Sequence, residues 1–101
     1  VNPRFREGAS PLTMAVQTQS LQMTNLLLRA GADVNAKKVS NGYTALMVAA
    51  EDSSAEILRR LIAAGADVNA RNKFGETALF LAKKAERADA VSILKRAGAR
   101  E

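Results

Sequence analysis

The chain has 101 residues, of which fifteen are Lys or Arg and ten are Asp or Glu, so its formal net charge is +5. It contains no Cys and no His, which excludes disulfides, thiolate and imidazole metal ligands, a Cys nucleophile and a Ser-His-Asp triad. Apolar residues make up 48% of the chain, but no window approaches the roughly eighteen uncharged apolar residues of a membrane span. We therefore expect one compact module that does not cross a membrane.

One unit of 33 or 34 residues recurs along the chain, as the spacing of its opening glycines shows. A second Gly follows each opening Gly by 23 positions, in the pairs Gly8/Gly31, Gly42/Gly65 and Gly75/Gly98. A fixed period of this size indicates a supersecondary unit that stacks on copies of itself. We therefore interpret 1–101 as a single domain. It comprises 1–7 (the end of a preceding repeat, or a lead-in), a first repeat at 8–36, a second at 37–70 and a C-terminal capping repeat at 71–101.

Each copy is expected to hold two helices, because apolar residues recur three and four positions apart, as in Ile57, Leu58 and Leu61. The first helices are predicted at about 11–18, 45–52 and 78–85, each preceded by a hydroxyl N-cap (Ser10, Thr44 and Thr77). The second helices are predicted to end before Gly31, Gly65 and Gly98, since Gly readily takes the left-handed conformation that follows a helix.

Two local patterns carry further predictions. Ser53 and Glu56 stand three residues apart before the second helix of the middle copy, which predicts a capping box. Asp33 and Asp67 occupy one repeat position, which favours turns made by side-chain-to-backbone bonds over metal binding.

Comparing the copies position by position predicts the core and its end. Three positions are apolar in every copy, namely Leu12/Leu46/Leu79, Ala15/Ala49/Ala82 and Leu27/Leu61/Leu94. Two others turn basic only in the last copy, where Lys83 replaces Val16 and Ala50, and Lys95 replaces Leu28 and Ile62. A buried unpaired ammonium is costly, so we expect both lysines in water and the stack to end there.

On these residues the chain resembles the ankyrin repeat family. The run Gly-Ala-Asp-Val-Asn-Ala stands at 31–36 and 65–70, and Gly-x-Thr opens the second and third copies. The sequence departs from the family pattern at the helix-initial Pro (Ala45 and Ala78), the mid-repeat Gly (Gln19, Ser53 and Glu86) and the His (Thr13, Met47 and Phe80). Because Phe80 lies inside a predicted helix, at the position of the family's His, we expect its side chain to be packed against other residues.

The resemblance implies an all-α solenoid of helix-turn-helix units with hairpin-like tips. It also implies binding of other proteins through a concave face, made of the tips and the exposed side of the first helices, rather than catalysis. We assign candidate binding residues on that face: Arg4, Arg6, Lys37, Ser40, Asn41, Tyr43, Glu51, Asp52, Arg71, Lys73, Phe74, Glu76 and Lys84.

Two groups within this set have competing interpretations. Phe5, Tyr43 and Phe74 lie in or beside the tips, either as covers for neighbouring tips or as anchors for a ligand. Arg4, Lys37 and Arg71 occupy equivalent positions, and Arg6 and Lys73 form a second matched pair, so stacking would align them into a basic stripe. The alternative is that these tips are simply solvated.

Other chemistry is weakly indicated. Glu51 and Asp52 are adjacent, and neighbouring helix residues point about 100° apart, so a solvated helix end is favoured over a general acid/base pair. Phosphate-loop and dinucleotide glycine spacings do not occur, so we expect no enzyme and no cofactor.

The expected partner is a protein or peptide, with an acidic partner or another segment of the parent chain as candidates, in the cytoplasm or nucleus. The alternative function is electrostatic binding of nucleic acid or an anionic membrane surface, suggested by a pI of ≈ 10.1. Against it, residues 71–101 carry eight basic and four acidic residues, hence most of the excess charge, and no base-stacking aromatic array accompanies them.

Overall fold

A computed structural model describes residues 11–38, 41–52 and 54–99 of the chain. These ranges contain six helices and no strand: α1 Pro11–Gln17, α2 Leu21–Arg29, α3 Ala45–Asp52, α4 Ala55–Ala63, α5 Ala78–Lys84 and α6 Ala88–Arg96. The all-α class is confirmed, and the first helix of each copy matches its predicted bounds to within one residue.

The helices form two layers. Helices α1, α3 and α5 pack side by side in one row, which we call the inner helices, and α2, α4 and α6 pack in a second row, the outer helices. Each copy joins the two rows through its own helix pair. Helix α3 has a neighbour on both sides and α4 behind it, so all six residues from Ala45 to Ala50 are buried. Alanines at Ala15, Ala49 and Ala82 are also buried, and their small side chains let adjacent helices approach closely.

The second helices end as predicted, with Gly31, Gly65 and Gly98 at φ values of +87°, +96° and +98°. After each Gly, the next backbone N–H returns to the helix: Ala32 N donates to the Leu27 carbonyl at 3.0 Å, and Ala66 and Ala99 donate to Leu61 and Leu94 at 3.1 and 3.0 Å. This Schellman motif satisfies carbonyls that the helix leaves without partners.

The caps require one correction. Thr44 and Thr77 accept from the N–H groups of Met47 and Phe80, as predicted, and Ser10 lies outside the described residues. The predicted capping box is wrong, because Ser54 is the N-cap of α4 and accepts from Ile57 N at 3.3 Å. With the cap at Ser54, Glu56 is one residue too early to close a box, and its carboxylate instead pairs with Arg60 at 3.4 Å.

Burial confirms most of the predicted core and corrects two positions. Leu27 is only partly buried although Leu61 and Leu94 are fully buried, because α2 lacks, among the described elements, the preceding outer helix that α4 and α6 have. Phe80 is 49% exposed rather than packed, because no described inner helix follows α5 to cover it. Lys83 and Lys95 are exposed, as expected.

Candidate functional site

The two described tips are built by their own polar side chains. Asp33 and Asp67 each accept from the backbone N–H two residues later, at 3.0 Å, which confirms their turn-making role. The next residue of the motif ties the tips together, since the Asn35 side-chain oxygen accepts from Asp67 N at 2.7 Å. The site therefore rests on turns that side-chain hydrogen bonds hold and connect.

A second set of bonds brings basic residues of successive tips together. Lys73 N donates to the Asn41 carbonyl at 3.0 Å, and Lys37 Nζ donates to the Arg71 carbonyl at 3.0 Å. Arg71 in turn donates from Nη1 to the Gly75 carbonyl at 3.2 Å. Lys37 and Arg71 are thus neighbours, whereas the predicted Arg4, Arg6 and Ser40, and Phe5, lie outside the described residues.

These basic residues line a cleft of about 530 Å³ between the tips, which we call the tip cleft. It is lined by Asp33, Asn35, Ala36, Lys37, Lys38, Gly42, Arg71, Asn72 and Lys73. Four of these side chains are cationic and one is anionic. The tip cleft therefore has a strongly positive lining.

A second cleft, of about 480 Å³, opens where the tips meet the first helices, and we call it the helix cleft. It is lined by Gln17, Lys38, Asn41, Tyr43, Val48, Glu51, Asp52 and Phe74. Five of the sequence candidates meet here: Asn41, Tyr43, Glu51, Asp52 and Phe74. Lys38 lines both clefts, so the two are adjacent.

Sequence analysis missed three residues of the helix cleft, which are Gln17, Lys38 and Val48. Gln17 could have been found, because it occupies the repeat position of Glu51 and Lys84, which were both chosen. Val48 could not, because its inner-helix position reads as core and its side chain is in fact almost fully buried.

The two aromatic side chains of the helix cleft differ in their surroundings. Tyr43 is partly buried and packs against the hydrophobic core. Phe74 is 71% exposed. Its backbone is fixed by Asn72, whose side-chain oxygen accepts from Phe74 N at 2.9 Å and from Glu76 N at 3.0 Å. Phe74 is therefore an apolar ring held in solvent on an ordered turn.

On the acidic side of the helix cleft, Glu51 lies among charges that are mostly of the same sign. Burial raises the pKa of Glu51, the negative charges of Glu76 and Asp52 raise it further, and Lys84 opposes them. The pKa of Tyr43 is also raised, first by burial and then by Glu51 and Glu76. Glu76 and Lys84 thus act on the cleft without lining it, while Glu76 is itself held by a 2.9 Å bond from Asn72.

Two features are missing from the residues that the structure describes. Across the described ranges, no set of three or more acidic side chains is placed to hold a metal ion. No helix in those ranges combines the length and apolar character needed to cross a bilayer.

A protein-family model described as "Ankyrin repeats (3 copies)" matches residues 12–100 of the chain. No curated protein shows significant similarity to the chain.

Proposed function

Because the chain belongs to the ankyrin repeat family, whose members are generally non-enzymatic protein-interaction modules, we propose that it binds a partner protein or peptide through the concave face formed by its tips and first helices. The observation that carries this proposal is Phe74, a 71% exposed aromatic side chain that lines the helix cleft. Exposed aromatics that become desolvated on binding are frequent energetic anchors of interfaces.

The rest of the helix cleft suits an extended segment of a partner. Tyr43 supplies a second ring, and Asn41 and Gln17 supply amide groups that can form hydrogen bonds with a partner backbone. Since the tips are tied to each other by backbone and side-chain bonds, little conformational entropy is lost when a partner docks. This preorganisation favours binding by a small number of strong contacts.

The tip cleft adds charge to this surface. Lys37, Lys38, Arg71 and Lys73 place four cations around one opening. Charges at the rim of an interface act mainly on the rate of encounter and on its salt dependence. The tips therefore attract acidic groups of a partner protein, or of another segment of the parent chain.

The proposal is tested by selecting a displayed random-peptide library on the immobilised chain and measuring the selected peptides in solution. Phe74→Ala should raise the dissociation rate by about tenfold or more. Phe80→Ala is the matched control, because Phe80 is another exposed phenylalanine but does not line either cleft. Lys73→Glu should mainly slow association and weaken its salt dependence.

The alternative function predicts a different result with the same protein. A counterion-driven nucleic-acid module would bind duplex or single-stranded oligonucleotides with an affinity that falls log-linearly with salt. Lys84 would then matter as much as the tips, and Phe74 little. Tight oligonucleotide binding at physiological salt, together with peptides that bind Phe74→Ala as well as the original chain, would overturn the proposal.

A further inference from the structure

The two adjacent clefts have linings of opposite charge. The tip cleft is lined by four cations and one carboxylate, whereas the helix cleft is lined by Glu51 and Asp52 and a single cation, the shared Lys38. This local acidity is notable in a chain whose net charge is +5. A partner segment that fills both clefts therefore contacts a positively charged lining at one end and a negatively charged lining at the other.

Glu51 is a partly buried carboxylate without a bonding partner among the described residues. Its side chain is partly buried, and no hydrogen bond or ion pair joins it to any described residue. Most carboxylates that lose water gain a cation or hydrogen-bond donors in exchange. The neighbouring charges are mostly of the same sign, because Glu76 and Asp52 both raise the pKa of Glu51 and only Lys84 lowers it. A bound cation would relieve both the lost hydration and the repulsion.

The other walls of the helix cleft suit one kind of cation. Tyr43 and Phe74 present aromatic rings, and ring faces attract cations, guanidinium groups more often than ammonium. A guanidinium is planar, stacks on aromatic rings and donates two parallel hydrogen bonds to a carboxylate. Carboxylates and rings in one cleft therefore match arginine better than lysine.

We propose that the helix cleft receives an arginine side chain of the partner segment, while an acidic residue of the same segment lies against the cations of the tip cleft. The inference rests on the proposed function and specifies its partner: a peptide that carries arginine and, close to it, aspartate or glutamate. Lys38, which lines both clefts, separates the two subsites and repels a second basic residue at the boundary.

The test is a double-mutant cycle between the chain and a peptide from the same selection. The selected peptides should share an arginine near an acidic residue. Replacing that arginine by glutamine, or Glu51→Gln in the chain, should each weaken binding by about tenfold, as expected for a hydrogen bond between charged groups. The two changes together should weaken it no more than either alone. Replacing the arginine by lysine should recover only part of the affinity.

Glu56→Gln is the matched control in the chain, since Glu56 is an exposed carboxylate of α4 that lines neither cleft, and it should leave binding unchanged. Selection of purely acidic peptides would overturn the inference. So would an arginine whose replacement lowers the affinity of the peptide equally for the original chain and for the Glu51→Gln variant. If Phe74→Ala still abolished binding in those cases, the proposed function would stand without it.

Discussion

The guanidinium of Arg87 donates from Nη1 to the carbonyl oxygen of Ala49 at 2.8 Å, across the boundary between two repeats. The same nitrogen lies 3.3 Å from the Ala50 carbonyl, and Nη2 pairs with Asp89 at 3.3 Å. In the other copies this repeat position holds Ser20 and Ser54, which cap their own second helix. Arg87 makes no such cap, and instead serves the C-terminal end of α3. There its charge also complements the helix dipole.

Arg87→Ala should therefore destabilise the fold by about 2 kcal/mol, because two buried carbonyls lose a charged donor. Arg87→Lys should recover only part of this, since an ammonium lacks the planar fork that reaches both carbonyls and Asp89. Urea denaturation measures the effect, with Arg96→Ala as the control, because Arg96 is exposed and should cost no more than about 0.5 kcal/mol. Equal losses for Arg87 and Arg96 would contradict this role.

Glu86 and Gln19 have φ values of +58°, in the left-handed region that side chains with a Cβ disfavour. Both follow the end of a first helix, at the position where the family has Gly. Glu86→Gly should stabilise the fold by about 1 kcal/mol, because it removes this backbone strain. Ala85→Gly is the control, since Ala85 has a φ of −82° and gains nothing from Gly. Thermal melts that rank the two substitutions in the opposite order would refute the argument.

Gly42 and Gly75 have nearly equal φ values, +75° and +76°, but different surroundings. A Cβ at Gly42 would lie 2.9 Å from Lys73 N, whereas at Gly75 it would meet nothing within 4 Å. Gly75→Ala should lower the free energy of unfolding by about 1 kcal/mol, because alanine disfavours the left-handed backbone conformation. Gly42→Ala should cost clearly more, because Lys73 N also bonds the Asn41 carbonyl and cannot move without breaking that link between tips. Chemical denaturation of the two variants compares these costs, and similar losses would show that the tips are loosely joined.

Leu61 and Lys95 test the difference between the core and the exposed face. Leu61 is fully buried in α4, so Leu61→Ala should cost about 2–5 kcal/mol through lost burial and a residual cavity. Lys95 is exposed, so Lys95→Ala should change stability by no more than about 0.5 kcal/mol. Urea midpoints for the two variants give the comparison. A large loss at Lys95 would mean that a partner covers this face in solution.

Glu51 links stability to pH. A carboxyl group whose pKa is higher in the folded than in the unfolded state binds more protons when folded, so stability falls as pH rises from the unfolded pKa through the folded pKa. Glu51→Gln removes the ionised carboxylate and should therefore raise the Tm at neutral pH. The gain in the free energy of unfolding should be less than about 1 kcal/mol, because the side chain is partly exposed. The gain should vanish as pH falls below the ordinary Glu value of 4.5, where both states are protonated.

Glu56→Gln is the control for that series, because Glu56 pairs with Arg60 and its loss should not stabilise the fold at neutral pH. A lower Tm for Glu51→Gln at neutral pH would show that the carboxylate has a stabilising partner. Glu51→Gln is thus expected to stabilise the fold and to weaken peptide binding. This combination is typical of a residue that is retained for binding at the expense of stability.

The sequence by itself determined the repeat, the six helices and the Gly residues that end them, because these depend on spacing and on conformational preferences within a few residues. It also identified both rings and both carboxylates of the helix cleft as candidates. Only the tertiary structure decided that Phe80 is exposed and that Arg87 reaches a helix 37 and 38 residues earlier in the chain. The convergence of Glu51 with Tyr43 and Glu76, and the opposite charges of two adjoining clefts, likewise depend on which neighbours each position meets. Burial and Coulomb interactions are set by those neighbours, and no local pattern specifies them.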